Sequence, residues 1–347
     1  MSLQAIPANR ILETLNMSIN PMHYEDLVSY PGEDILSASV LRAKENIPSN
    51  EVVELLEGSM WYRWFNKDQL QQGKAPCPII ISIGGTGAAM FYNTFAEKLA
   101  GFYQGPVLIY DRFNMGLSDN IQSSRNGMNL WHSQLDQMLD SEIIGLKDKQ
   151  IHWCTFSLAT AIVLPYAVQN PTRVKSIAFL SGMIGGGSPN LLKTYSKLKK
   201  AVSLGNCCCL CGGNKMIFGK LVIPRLYKRC EHQVEEGGDP AGLTIAKAMY
   251  RVKGFTVKFK EQQMDPTILN AIYNGTDEMC TQLALQKIPV YIRNYEQDHD
   301  INRDGWIRLW NILKGPGNEN VMCSGEHHKF YEDNTAEKLA SFAALNN

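Results

Sequence analysis

Apolar and polar positions begin to alternate at about Glu51, over 52–56 and again through Met60-Trp61-Tyr62-Arg63-Trp64-Phe65, with Glu57-Gly58-Ser59 between the two stretches. A period of two on either side of a Gly-containing turn predicts a hairpin. The run Pro78-Ile79-Ile80-Ile81-Ser82-Ile83 is different, being almost continuously apolar and β-branched, and it stops at Gly84-Gly85-Thr86-Gly87. That pattern predicts a short strand buried on both faces. Helical spacing follows through Phe91, Phe95, Leu99 and Phe102, and further buried strands are predicted at 107–110, 151–155, 176–180 and 289–292, each separated from the next by helical stretches. Strand and helix alternating in this way predict an α/β fold, a mostly parallel central sheet flanked by helices on both faces.

The rhythm fails over 186–285, which is rich in Gly, Lys and Cys and shows helical stretches without a βα repeat. The chain is therefore divided into an N-terminal extension (1–49), a core built from 50–185 and 286–347, and an inserted, mainly helical cap or lid domain (186–285). Charge sharpens the division. Lys plus Arg and Asp plus Glu balance at 34 each over the whole chain, yet the insertion holds 14 basic against 8 acidic side chains, leaving a basic lid on an acidic body. A neutral total excludes nucleic acid as the expected partner. The basic cap, with Lys193, Lys197, Lys199 and Lys200, is expected to suit peripheral contact with an anionic membrane surface.

Composition changes little else: 44% hydrophobic and 20% charged residues are ordinary globular usage. The first residues lack the basic start and apolar core of a secretory signal, and no run reaches about 18 apolar residues, so the expected location is cytoplasmic. Nine cysteines, four of them in Cys207-Cys208-Cys209-Leu210-Cys211, make a poor disulfide framework and read as reduced thiols. Two alternatives stay open for that cluster: a zinc site of Cys208, Cys211, Cys230 and His232, and S-acylation beside a basic helix.

Candidate chemistry lies just after the buried strands, because groups at the carboxyl ends of a parallel sheet converge on one crevice. After the strand at 151–155 comes Thr155-Phe156-Ser157-Leu158-Ala159, a sharp strand-to-helix turn with a serine at its apex. The Leu158 N–H at the helix start is placed to stabilise an oxyanion. After the strand at 289–292 comes Arg293-Asn294-Tyr295-Glu296-Gln297-Asp298-His299-Asp300, which offers a carboxylate, and Ser324-Gly325-Glu326-His327-His328 offers a base. Asp298 has rivals in Glu296 and Asp300, and His327 in His328. The aspartates and histidines together could also suggest a metal, but nothing fixes them into a ligand set, and no metal is expected.

These features resemble the α/β-hydrolase superfamily, over 51–186 and again over 288–337. Besides the serine turn, Tyr110-Asp111-Arg112-Phe113-Asn114-Met115-Gly116-Leu117-Ser118-Asp119 is similar to the family's Asp-x-x-Gly-x-Gly-x-Ser loop. The stretch Tyr166-Ala167-Val168-Gln169-Asn170-Pro171-Thr172-Arg173-Val174 resembles the helix exit after the turn. Ile288-Pro289-Val290 and the spacing of His327 to Glu332 also follow the family, and that spacing favours His327 over His328. There are departures: the usual His-Gly is Ile83-Gly84, and Thr155 and Ala159 stand where the turn normally carries glycines. The resemblance implies Ser157 as nucleophile, His327 as general base, Asp298 as the acid that orients it, and Gly85 and Leu158 N–H groups as oxyanion donors, with no cofactor. A serine rather than a carboxylate at the apex points to acyl-enzyme cleavage of a carboxylic ester or thioester, of a small-molecule or lipid acyl substrate. A prolyl-type aminopeptidase is the nearby alternative, since Gly84-Gly85-Thr86-Gly87 is similar to its Gly-Gly-Pro-Gly loop. A non-catalytic relative acting as ligand sensor or interaction protein is the alternative from another class.

Overall fold

The computed structural model describes residues 38–71, 76–85, 88–121, 127–186, 223–249, 266–299, 301–325, 331 and 334–347. Eight strands form one sheet: β1 (Val52–Leu55), β2 (Gly58–Phe65), β3 (Ile79–Ser82), β4 (Val107–Tyr110), β5 (Ile151–Phe156), β6 (Val174–Leu180), β7 (Val290–Tyr295) and β8 (Glu319–Cys323). Their order across the sheet is β1-β2-β4-β3-β5-β6-β7-β8. β1 and β2 form the antiparallel hairpin, β2 runs antiparallel to β4, and every pairing from β4 to β8 is parallel. The α/β architecture read from the alternation is the one observed.

Among the described residues ten α-helices accompany the sheet: α1 (Ala38–Lys44), α2 (Asn93–Tyr103), α3 (Gly127–Asp140), α4 (Ala159–Gln169), α5 (Ile223–Glu235), α6 (Pro240–Met249), α7 (Pro266–Tyr273), α8 (Thr276–Leu285), α9 (Arg303–Leu313) and α10 (Thr335–Leu345). Alternate residues of each strand point to opposite faces, so two cores form. On one face Trp153, Ile177, Val290 and Ile292 pack with Trp131 of α3, Leu164 of α4 and Trp306 of α9. On the other Ile79, Ile81, Ile109 and Tyr291 pack with Phe95 and Leu99 of α2 and Leu339 and Phe342 of α10. Each fully buried aliphatic or aromatic side chain contributes about 1.5–3 kcal/mol by leaving water.

Two features lie outside what the sequence pattern predicted. Phe102 keeps helical spacing with Phe91, Phe95 and Leu99 but is 57% exposed, because α2 turns that position away from α10 and the sheet. β8 carries no buried run, its burial alternating between exposed and intermediate, because it is the last strand and only β7 flanks it.

Within the segment read as the cap, α6 docks on the short 3-10 turn Ala89–Tyr92, where Asp239 N–H donates to the Phe91 carbonyl at 3.0 Å and Asn93 donates to the Asp239 carboxylate at 2.9 Å. α7 and α8 pack against α4, and α8 also against α9. The lysines Lys193, Lys197, Lys199 and Lys200 and the cluster Cys207 to Cys211 lie outside the described residues. Among the described residues no helix is long and apolar enough to cross a membrane.

Candidate functional site

β5 ends at Phe156 and α4 begins at Ala159, so Ser157 and Leu158 alone turn the chain. Ser157 has φ +50°, in the left-handed region that disfavours a residue with a Cβ by about 1–2 kcal/mol. The surroundings hold it there. Its N–H donates to the Leu180 carbonyl (3.1 Å), and its own carbonyl accepts from Thr160 N–H (3.1 Å) and Met183 N–H (3.0 Å). The serine expected at the apex of a strained strand-to-helix turn is therefore found there, in a chain region otherwise fully buried.

The turn's missing glycines are explained by neighbours. A Cβ on Gly84 would stand 2.5 Å from the Phe156 carbonyl oxygen and 2.8 Å from the Leu158 nitrogen, so this glycine, from the loop after β3, is what lets the turn close. Thr155 fits because its hydroxyl donates to the Ala178 carbonyl (2.9 Å) and lies 3.0 Å from the Thr160 hydroxyl. Thr160 in turn fits because a Cβ on Gly182 would meet its hydroxyl at 2.9 Å. Glycines from two adjoining segments, Gly84 after β3 and Gly182 after β6, give the room that the turn's own residues do not.

Gly85, next along from Gly84, has φ +48°, and a Cβ there would meet nothing within 4 Å. Among the described residues neither the Gly85 N–H nor the Leu158 N–H is bonded to an acceptor. Leu158 caps the N-terminus of the eleven-residue α4, where unsatisfied N–H groups carry the positive end of the helix dipole. The Leu158 N–H, next in the chain to Ser157, is thus a backbone donor at a helix N-terminus with no acceptor among the described residues.

The loop after β4 braces this region. Asp111 accepts from Ala89 N–H through Oδ1 (2.7 Å) and from Leu117 N–H through Oδ2 (2.8 Å), tying the strand end to the turn at 89–92. Gly116, at φ +50°, packs so closely that a Cβ would fall 2.0 Å from the Asp111 carboxylate. Burial pushes the Asp111 carboxyl up to about 7, against the pull of the Leu117 and Ala89 N–H groups and of Arg112.

On the far side of the site, Asp298 follows β7 and is buried, whereas Glu296 is exposed. Glu296 N–H donates to the Cys323 carbonyl (2.8 Å) and Gln297 N–H to the Gly325 carbonyl (3.0 Å), so the acid loop is fastened to the end of β8, two residues before His327. His327, His328, Asp300 and Glu332 themselves lie outside the described residues. For the zinc alternative, Cys230 is buried on α5 while His232, on the same helix, is exposed beside Glu235 and Glu236. Cys208 and Cys211 lie outside the described residues.

Sequence reasoning named Ser157, Asp298, Gly85 and Leu158; it passed over Gly182 and the clamping role of Asp111. The signal for the second was present, a carboxylate directly after a buried strand and five residues before a glycine.

No family model and no curated protein matches the sequence. Solved structures do. An enol-lactonase from Burkholderia xenovorans LB400 superposes with a TM-score of 0.60 at 14% identity, covering 84% of this chain and 99% of that one. A thioesterase domain from the curacin biosynthetic pathway gives 0.54 at 12% identity, covering 84% and 97%. A haloalkane dehalogenase from Agrobacterium tumefaciens C58 gives 0.57 at 13% identity, covering 85% and 96%. At such identities the likeness is one of fold.

Proposed function

This chain has the α/β-hydrolase fold, and on that premise we propose that it is a serine hydrolase acting on a carboxylic ester or thioester through an acyl-enzyme. The observation that carries the reading is the left-handed conformation of Ser157 at the strand-to-helix turn, a strained apex that supports a nucleophile's position, directly before the Leu158 N–H that opens α4. Serine at this position favours acyl chemistry over the carboxylate displacement by which haloalkanes are opened.

In the proposed reaction His327 removes the Ser157 proton as Oγ adds to the acyl carbon. The Gly85 and Leu158 N–H groups take the negative charge on the carbonyl oxygen. Collapse breaks the bond to the alcohol or thiol, which leaves with the proton from His327. Water, deprotonated by the same histidine, then releases the acid and restores Ser157. Asp298 holds the imidazole in the required tautomer. The step needs no cofactor.

The test is labelling with a fluorophosphonate followed by mass mapping, beside turnover of a panel of p-nitrophenyl esters, acyl thioesters and aminoacyl amides. An adduct on Ser157 that disappears in Ser157→Ala, with ester or thioester turnover, is the expected result. An unlabelled wild type would overturn the reading and leave a ligand-binding relative of the fold. Turnover of the aminoacyl amides alone would replace an esterase by a peptidase.

A further inference from the structure

Arg112 follows β4 directly and is 1% exposed. Its Nη2 donates to the Gly85 carbonyl at 3.1 Å, and its guanidinium carbon stands 4.7 Å from the centre of the Trp131 ring. Nε and Nη1 are buried and bonded to no acceptor. Among the described residues no carboxylate lies within ion-pair distance of it, and the adjoining Asp111 spends its two oxygens on the Ala89 and Leu117 N–H groups. Arginines in plainly structural roles here look different: Arg63 grips Glu51 with two bonds of 2.8 and 2.9 Å, and Arg42 pairs with Asp119. A buried guanidinium with two idle donors and no counterion is an expensive feature to keep for packing alone.

Among the described residues its one hydrogen bond goes to the residue beside Gly84, which touches Ser157. The Gly85 carbonyl belongs to the peptide that follows Gly85, so holding it fixes the chain's exit from Gly85; with Gly84 packed on the turn on the other side, the φ +48° backbone at Gly85 is held from both ends. We propose that Arg112 is a positioning residue for the oxyanion: by holding the peptide that follows Gly85 it restrains the Gly85 backbone, and it supplies a fixed positive charge behind it in a water-poor site. The proposal rests on the hydrolase reading above. Burial draws the Arg112 guanidinium down to about 10, which leaves it charged throughout the neutral range.

The test uses the full chain as wild type, Arg112→Met, Arg112→Gln and Arg112→Lys, with fluorophosphonate titration counting reactive sites so that misfolded protein drops out of the rates. Three quantities are read per site: kcat and KM for a small uncharged ester, and the affinity of a trifluoromethyl ketone, which becomes an oxyanion when Ser157 adds to it. Arg112→Met is expected to lower kcat about 30- to 100-fold, less than deletion of a direct donor at the upper end of its range, with KM within about threefold. The ketone should weaken by a similar factor, and Arg112→Lys should recover part of both losses. Should Arg112→Met not fold, Arg112→Gln, neutral with an amide donor, carries the same reading. Unchanged kcat and ketone affinity per titrated site, whatever the loss in melting temperature, would make Arg112 purely structural and overturn the proposal while the hydrolase reading stood. A wild type without labelling or turnover would instead remove the hydrolase reading, and this inference with it.

Discussion

A Cβ on Gly84 would stand 2.7 Å from the Cβ of Ser157, and its other near neighbours are backbone atoms of Phe156 and Leu158. None of these is the end of a flexible side chain, so Gly84→Ala must displace either the loop after β3 or the turn itself. A displacement of about 1 Å at a reacting group lowers turnover about a hundredfold. Gly84→Ala is therefore expected to lose at least that much activity and to melt earlier. Gly85→Ala, facing open space, should show only the smaller penalty of its positive φ, about 1–2 kcal/mol. Paired thermal melts and ester turnover check the order; a fully active Gly84→Ala would contradict the contact.

Strain at Ser157 gives a second expectation. Glycine tolerates φ +50° without penalty, whereas alanine keeps it. Ser157→Gly should be more stable than Ser157→Ala by about 1 kcal/mol, while neither reacts with a fluorophosphonate. Calorimetric midpoints measure the difference. Equal stabilities would mean that the turn is not held under strain.

How much of this was legible depends on where the information sits. The inner strands were readable because parallel strands covered on both faces must be apolar throughout, as at Ile79 to Ile81 and Val107 to Tyr110, all 0–1% exposed. β8 was not readable: Glu319, Asn320 and Met322 are exposed on an edge strand, and nothing in Glu-Asn-Val-Met-Cys demands burial. The apex serine was legible because its signal is local. The reason Thr155 is tolerated was not, since it depends on Thr160, Ala178 and Gly182 meeting in space. The grip of Arg112 on Gly85 spans 27 residues and leaves no periodic trace.

His152 makes an expectation about acid stability. It lies buried on β5, its Nδ1 2.7 Å from the Ser176 hydroxyl, and burial first, then Lys175, draws it down to about 4 against the Asn347 hydrogen bond. Unfolded, it titrates near 6.5. Between those values the unfolded chain binds the extra proton, so this contribution is whole above pH 6.5 and is lost progressively as pH falls toward 4. The span is worth about 3 kcal/mol. Asp111 acts with opposite sign, its raised carboxyl lowering stability as pH rises from about 4 to about 7, so the useful quantity is a difference between proteins. The stability of wild type minus that of His152→Gln, measured by denaturant unfolding, should therefore fall by about 3 kcal/mol as pH drops from 6.5 to 4. Parallel curves for the two would remove His152 as an acid-sensitive group.

The assignment of acid and base is decided by a set of single substitutions. Asp298 is buried on a loop whose Gln297 N–H holds the Gly325 carbonyl, and Gly325 stands two residues before His327. That fastening ties the acid loop to the residue at which the described chain stops before the histidine pair, whereas Glu296 is exposed. Ser157→Ala and His327→Ala are each expected to lower kcat by about three to six orders of magnitude, and the double variant to be little worse, because nucleophile and base act as one unit. Asp298→Asn should lose less, since the imidazole can still be held, though in the wrong tautomer for part of the time. Glu296→Gln, at an exposed position, should stay within about threefold of wild type, and the assignment of the base to His327 expects the same of His328→Ala. Initial rates on one ester, with fluorophosphonate titration correcting for folded protein, measure all of them. An inactive His328→Ala beside an active His327→Ala would move the base by one residue. An Asp298→Asn variant with wild-type rates would pass the acid role to Asp300.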